Sequence, residues 1–349
     1  MPHPVLYTPR PVPAQPGRPR TAGRVTRGPE LAAALAARLT ARDRWLLRML
    51  HEHRVLTTSQ ITEIAFGTSR AATARLLTLY QLRAIDRFRP LVPAGSAPLY
   101  FVLDEAGAAV LAAEDGITPA ELGYRRDRAL AIALSPQLGH ACGANGVFTA
   151  LAATARHTPG TRLDCWWSER RCAALWGGTA RPDGYGRWHA PAPGGGITST
   201  DFFLEYDTGT ENLTRLITKL AGYATLAART HITTPVLFWL QSARREAALR
   251  TRLAGPPPAG IQATSAATIP GVPVATATPA SAARPAGAAG PAWLPAGSTG
   301  PRLPLSQLPG TTTGPAPPTR PGHSPGGLPW YPPSPRSPWD SGTGQASHD

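Results

Sequence analysis

Proline placement decides how much of this chain can fold. Of its 349 residues 40 are proline, and more than half of those lie after Leu253. Proline removes a backbone donor and fixes φ, so a segment dense in it cannot sustain a helix or a central strand. Residues 254–349, built from Pro, Gly, Ala, Ser and Thr with few charges and no hydrophobic period, read as a disordered Pro/Gly/Ala-rich tail. Residues 1–28 read as a disordered basic arm, carrying Arg10, Arg18, Arg20, Arg24 and Arg27 and no acidic residue. What remains suits two small domains.

The formal net charge is +14. Arginine set against phosphate releases condensed counterions, so the balance favours a polyanionic partner, double-stranded DNA, although charge can also serve solubility alone. Among 35 basic side chains only Lys219 is a lysine, which marks it out in so arginine-rich a chain. Cys142, Cys165 and Cys172 are odd in number and lack CxxC spacing, which fits a reducing compartment and argues against structural zinc. Without an apolar run of 18 residues or a signal-peptide core, the expectation is a soluble cytoplasmic protein with no membrane contact.

Residues 29–118 read as a winged helix-turn-helix domain. Leu31, Leu35, Leu39, Leu46, Leu47 and Leu50 recur at helical spacing, and Thr40-Ala41-Arg42-Asp43 is a capping box that starts a fresh helix. A short helix follows over 59–66, and Thr68 caps a longer one over 70–84. The strands 85–89 and 99–103, separated by a Pro/Gly loop, would form the wing. In such a domain the second helix of the motif enters the major groove, so Arg70, Arg75, Arg87 and Arg89 are the candidate DNA contacts, mostly to phosphates. A winged helix used for protein contacts is the alternative.

After a connector, 119–136, the domain 137–253 reads as α-β-β-β-α-β-α: helix 138–156, strands 162–169, 182–188 and 198–207, helix 213–229, strand 235–240 and helix 243–253. Strand side chains alternate faces, so Asp201, Phe203, Glu205 and Asp207 share one side while Phe202, Leu204 and Tyr206 take the other. Asp183, fixed between Pro182 and Gly184 at a neighbouring strand, adds a carboxylate, and Glu169 is a further candidate. Asp183, Glu205, Asp207 and Glu169 could hold Mg²⁺, with Lys219 offsetting charge on a phosphodiester, which makes Lys219, Glu205 and Asp183 the candidate catalytic set. Alternatively Thr208 and Glu211 form a capping box and Asp207 serves the same helix end. His140 is more simply packed or solvated than functional.

These pieces carry a resemblance. Leu138-Gly139-His140 with Asn145 and Val147-Phe148, then Trp167-Ser168-Glu169, Pro182-Asp183-Gly184, Phe202 through Glu211, and Lys219 with Tyr223 resemble the replication-relaxation family of actinobacterial plasmids and mobile elements. The similarity runs from about Thr40 to Leu240, and its second half is similar to the PD-(D/E)XK nuclease-like fold. It implies an α/β protein, a winged helix followed by a PD-(D/E)XK-like αβββαβ domain, acting in plasmid replication or DNA relaxation. One position departs from the pattern: Asp207 stands two residues after Glu205, where the nuclease pattern has lysine. Lys219 would have to substitute from the following helix.

Two functions follow as expectations. One is a DNA-binding accessory protein of plasmid replication or mobilisation, acting with a relaxase or replication initiator. The other is a Mg²⁺-dependent DNA endonuclease using Asp183, Glu205, Asp207 and Lys219. A transcription regulator whose second domain only forms a homodimer is a third.

Overall fold

A computed structural model describes residues 29–90, 97–230, 234–257, 272–283, 286–309 and 312–314. The basic arm 1–28, the loop 91–96 of the expected wing and the tail residues 315–349 lie outside the described residues. The protein is a mixed α/β chain with two sheets that divides into two compact units, Met1–Leu138 and Gly139–Asp349.

The first unit opens with α1 (Pro29–Ala36) and α2 (Ala41–His53). The capping box forms as its residues predict: Thr40 Oγ1 accepts from Asp43 N at 3.2 Å, and Asp43 Oδ2 accepts from Thr40 N at 2.7 Å. Then follow β1 (Leu56–Thr57), α3 (Thr58–Ala65), α4 (Ser69–Gln81), β2 (Ile85–Phe88), β3 (Tyr100–Leu103) and α5 (Glu105–Glu114). The strands pair antiparallel in the order β1-β3-β2. Leu46, Leu47 and Leu50 of α2 share a core with Ile61 and Ile64 of α3, Leu76 and Leu79 of α4, and Leu111 of α5. A helix α6 (Arg126–Ala131) occupies the stretch expected to be a bare connector; six residues with no side-chain cap leave little periodicity to read.

The second unit holds α7 (Leu138–His157), β4 (Arg162–Ser168), α8 (Glu169–Trp176), β5 (Gly184–Pro191), β6 (Ile197–Asp207), α9 (Leu213–Thr230), β7 (Val236–Leu240), α10 (Ala243–Leu253), β8 (Val274–Ala277), β9 (Leu294–Pro295) and β10 (Thr312–Gly314). Its sheet runs β4-β5-β6-β7-β8-β9, with β10 also paired to β6. Pairing is antiparallel from β4 to β6, parallel across β6, β7 and β8, and antiparallel at β9. The predicted alternation along β6 divides the helices between two faces. Phe202 stacks on Phe148 of α7, which stacks in turn on Trp166 of β4, whereas Phe203 packs with Tyr223, Leu216 and Leu220 of α9. Among the described residues no helix is long and apolar enough to cross a membrane.

Two expectations from the sequence need correction here. Strand β4 stops at Ser168, whose Oγ accepts from Arg171 N at 3.2 Å and thereby caps α8, a helix absent from the predicted order. And residues 272–309, assigned by composition to the disordered tail, complete the sheet. Val272, Val274, Ala275 and Ala277 are buried, as is Trp293, whose Nε1–H donates to Ala288 O at 2.7 Å. Buried Glu246 of α10 receives a two-pronged bond from Arg302 (2.9 and 2.6 Å) and one from Thr276 Oγ1. Mostly small residues and prolines surround the few large apolar ones, Trp293, Leu305 and Leu308, so composition hid the segment.

Candidate functional site

Asp183 and Glu205 come together at the carboxyl end of β6. Burial closes Glu205 off from solvent at 1 % exposure. Its two oxygens are both taken, Oε2 by Lys219 Nζ at 2.8 Å and Oε1 by the Tyr223 hydroxyl at 2.5 Å. Lys219 and Tyr223 sit four residues apart on α9, so one helix face delivers both donors. Burial, with the Asp183 carboxylate added, pushes the Glu205 carboxyl up to about 7 against the pull of Lys219 and Tyr223. Burial works to lower Lys219, but the carboxylates of Glu205 and Asp183 outweigh it and hold the amine firmly protonated. The Tyr223 phenol is driven well above its ordinary value by burial and then by Glu205.

Asp183 extends the ladder between β5 and β6. Its N–H donates to Leu204 O at 3.0 Å, and its Oδ2 accepts from Tyr206 N at 2.7 Å. Its Oδ1 faces His140 Nε2 at 2.9 Å, and this bond overcomes the effect of burial and raises the imidazole above its usual value. The Tyr206 ring stands edge-on to His140 at 5.8 Å. It reaches that place because α7 has a glycine there: a Cβ on Gly143 would lie 2.1 Å from the Tyr206 ring.

The other expected metal ligands do not converge on this pair, although the Glu169 carboxylate still acts electrostatically on His140. Asp207 is buried and gripped by the Arg245 fork from α10, one arm of which is 2.9 Å from Oδ1, and that oxygen also accepts from Gly209 N at 3.1 Å. It ties the end of β6 to α10. Glu169 lies exposed in the first turn of α8. The proposed box of Thr208 and Glu211 is absent: Asn212 Oδ1 accepts from Thr214 N at the start of α9, while Glu211 pairs with Arg215, four residues on, at 3.1 Å and with Lys219 at 3.5 Å. Among the described residues no group of three or more His, Cys, Asp or Glu is placed to hold a metal ion. Of the expected ligands only Asp183 and Glu205 converge, and each of their oxygens already faces a protein donor.

In the first unit the four arginines part company. Arg70 is exposed near the start of α4. Arg87 lies over the Tyr80 ring at 4.3 Å, and Arg89 is exposed just past β2. Arg75 instead points inward, where its Nε bonds Asp43 Oδ1 at 2.9 Å and its Nη2 bonds both Asp43 Oδ2 and the Arg38 carbonyl. It therefore fastens α4 to α2. The outward face of α4 is Arg70, Thr73, Ala74, Leu77 and Gln81.

Sequence reasoning set His140 aside, and the signal that could have found it is its helical separation of three from Gly143, which puts both on the face that meets Tyr206. Arg245 carries no such signal within an arginine-rich helix.

Two α/β units, one displaying a helix from a compact helical core and the other a mixed sheet with paired carboxylates, define a two-part protein of this architecture. The replication-relaxation family model matches residues 47–237, more than half of the chain, and the chain belongs to that family. Membership points to a role in plasmid replication or relaxation. No curated protein and no solved structure matches the chain.

Proposed function

We propose that the chain is a DNA-binding accessory protein of plasmid replication or mobilisation, which grips duplex DNA through a winged helix in its first unit and leaves strand cleavage to a relaxase or replication initiator. The carrying observation is α4. It follows α3 after a three-residue turn, buries Ala72, Leu76 and Leu79, and leaves Arg70, Thr73, Ala74, Leu77 and Gln81 outward. The β2–β3 hairpin follows it, with Arg87 and Arg89 where a wing would meet the backbone. The net charge of +14 supplies the electrostatic drive.

The second unit fits a PD-(D/E)XK-like domain kept for its surface. Asp183 lies just before β5 beside Glu205 of β6, but Asp183 is bonded by His140 and Tyr206 N, and Glu205 by Lys219 and Tyr223. A duplex-binding titration over a range of salt tests the proposal. Arg70→Ala should weaken binding to every duplex and reduce the slope of log K against log salt by about one; an unchanged slope and affinity would remove α4 from the interface. A plasmid-nicking assay should give no cleavage with Mg²⁺. Metal-dependent nicking abolished by Asp183→Ala would replace the accessory role with an endonuclease.

A further inference from the structure

The second unit contains a cleft that duplex binding through the first does not use. It has a volume of about 390 Å³ and lies between the segment joining α8 to β5 and the outer face of α9, a size that suits a small ligand. Its width is set by a close approach: a Cβ on Gly222 of α9 would lie 2.2 Å from the Thr179 carbonyl oxygen. The segment therefore rests directly on the helix, and Arg181, two residues before Asp183, is held at the rim.

The lining is cationic. Arg181, Arg215 and Lys219 contribute three positive charges, and the one lining carboxylate, Glu205, has both oxygens occupied by Lys219 and Tyr223. Arg181 is exposed and makes no hydrogen bond or ion pair among the described residues. Arg215 is 79 % exposed, with a single i,i+4 partner in Glu211, a type of pair that contributes little. An ammonium has three donors: Lys219 commits one to Glu205 at 2.8 Å and pairs with Glu211 at 3.5 Å, which leaves a donor for a ligand. Thr218 and Tyr223 also line the cleft. Guanidinium forks match the planar oxygen pairs of phosphate, and a surplus of fixed cations repels a metal ion.

We propose that this cleft is a metal-independent site for a phosphate group of a nucleic-acid strand, held by Arg181, Arg215 and Lys219. It stands apart from the winged-helix assignment, so the two fail separately.

The test is binding of the full chain, with EDTA present, to a single-stranded oligonucleotide carrying a 5′-phosphate, to the same strand with a 5′-hydroxyl, and to inorganic phosphate. The strand should bind, and Arg181→Ala and Arg215→Ala, both on exposed side chains, should each weaken it about tenfold. Gly222→Ala, which forces the segment off α9, should do the same, while Arg70→Ala should weaken duplex binding alone. A preference for the 5′-phosphate would place a strand end in the cleft; equal affinity for both strands would place an internal phosphodiester there. The proposal is overturned if Arg181→Ala and Arg215→Ala bind like the wild type, if binding requires Mg²⁺, or if inorganic phosphate competes as well as the strand.

Discussion

Glu205 holds its proton more tightly in the folded chain, near 7, than in the unfolded one, where it titrates near 4.5. That part of the stability is complete below about pH 4.5 and is lost as the pH rises through 7. Glu205→Gln keeps the shape and can still accept from Lys219, but it cannot titrate. The wild type should therefore lose about 3 kcal/mol relative to Glu205→Gln between about pH 4 and pH 8, measured by urea unfolding of both proteins; parallel pH profiles would contradict the burial-driven shift. The sequence showed Glu205 and Lys219 readily, one through strand alternation and the other as the only lysine. It was silent on what they do to each other, because a carboxylate and an amine fourteen positions apart read equally well as a metal site and as an ion pair. Nor did it show that the Tyr223 hydroxyl takes the second oxygen of Glu205.

At the scale of the element, α4 is a helix legible in its start, three residues shorter at its end than the expected 84, and misread in its faces. Thr68 caps it, with Oγ1 accepting from Ala71 N at 3.2 Å, and its apolar positions fall at the predicted spacing. Arg75 was expected outward, yet it turns in to Asp43, which is fully buried. Burial alone would raise the Asp43 carboxyl; the bonds from Arg75 and Thr40 prevail and lower it. Truncating Arg75 leaves that carboxylate buried with only Thr40 beside it, so Arg75→Ala should cost about 3 kcal/mol in chemical denaturation, with Arg75→Lys costing less because charge remains and the fork does not. An effect below about 0.5 kcal/mol would class the pair with ordinary surface ion pairs. Periodicity places a side chain only to within a helical face, and an arginine at the margin is assigned by a partner 32 residues away that no local window contains.

For the whole molecule, the decisive contacts come from the stretch that composition set aside. All five residues of β7 are buried, as suits a strand with a neighbour on each side; the expected element order ended with strand 235–240 and helix 243–253 and held no later strand. That missing neighbour is β8, paired in parallel from Val236 and Val274 onward. Arg302 and Arg250 fasten the added segment to α10, Arg302 through Glu246 and Arg250 through the Leu294, Pro295 and Ser298 carbonyls. Arg302→Ala would strand Glu246, which is only 3 % exposed, and should cost about 3 kcal/mol, seen as a lower Tm; Glu246→Gln in the same protein should recover part of the loss. If Arg302→Ala melts like the wild type, the segment is held by its apolar side chains and by Arg250 without help from the Arg302–Glu246 pair.

The consequence of that arrangement is one of timing on the ribosome. β6, which bears Glu205, pairs along one edge with β7 and with β10, and β7 in turn waits for β8. Strands joined across so long a stretch of chain close slowly, since the loop must be ordered before the pairing rewards it. A nascent chain that has emerged only as far as α10 carries the family-matched region with β7 still open on one side. The sheet that bears Glu205 is then completed by strands made after the whole of the family-matched region.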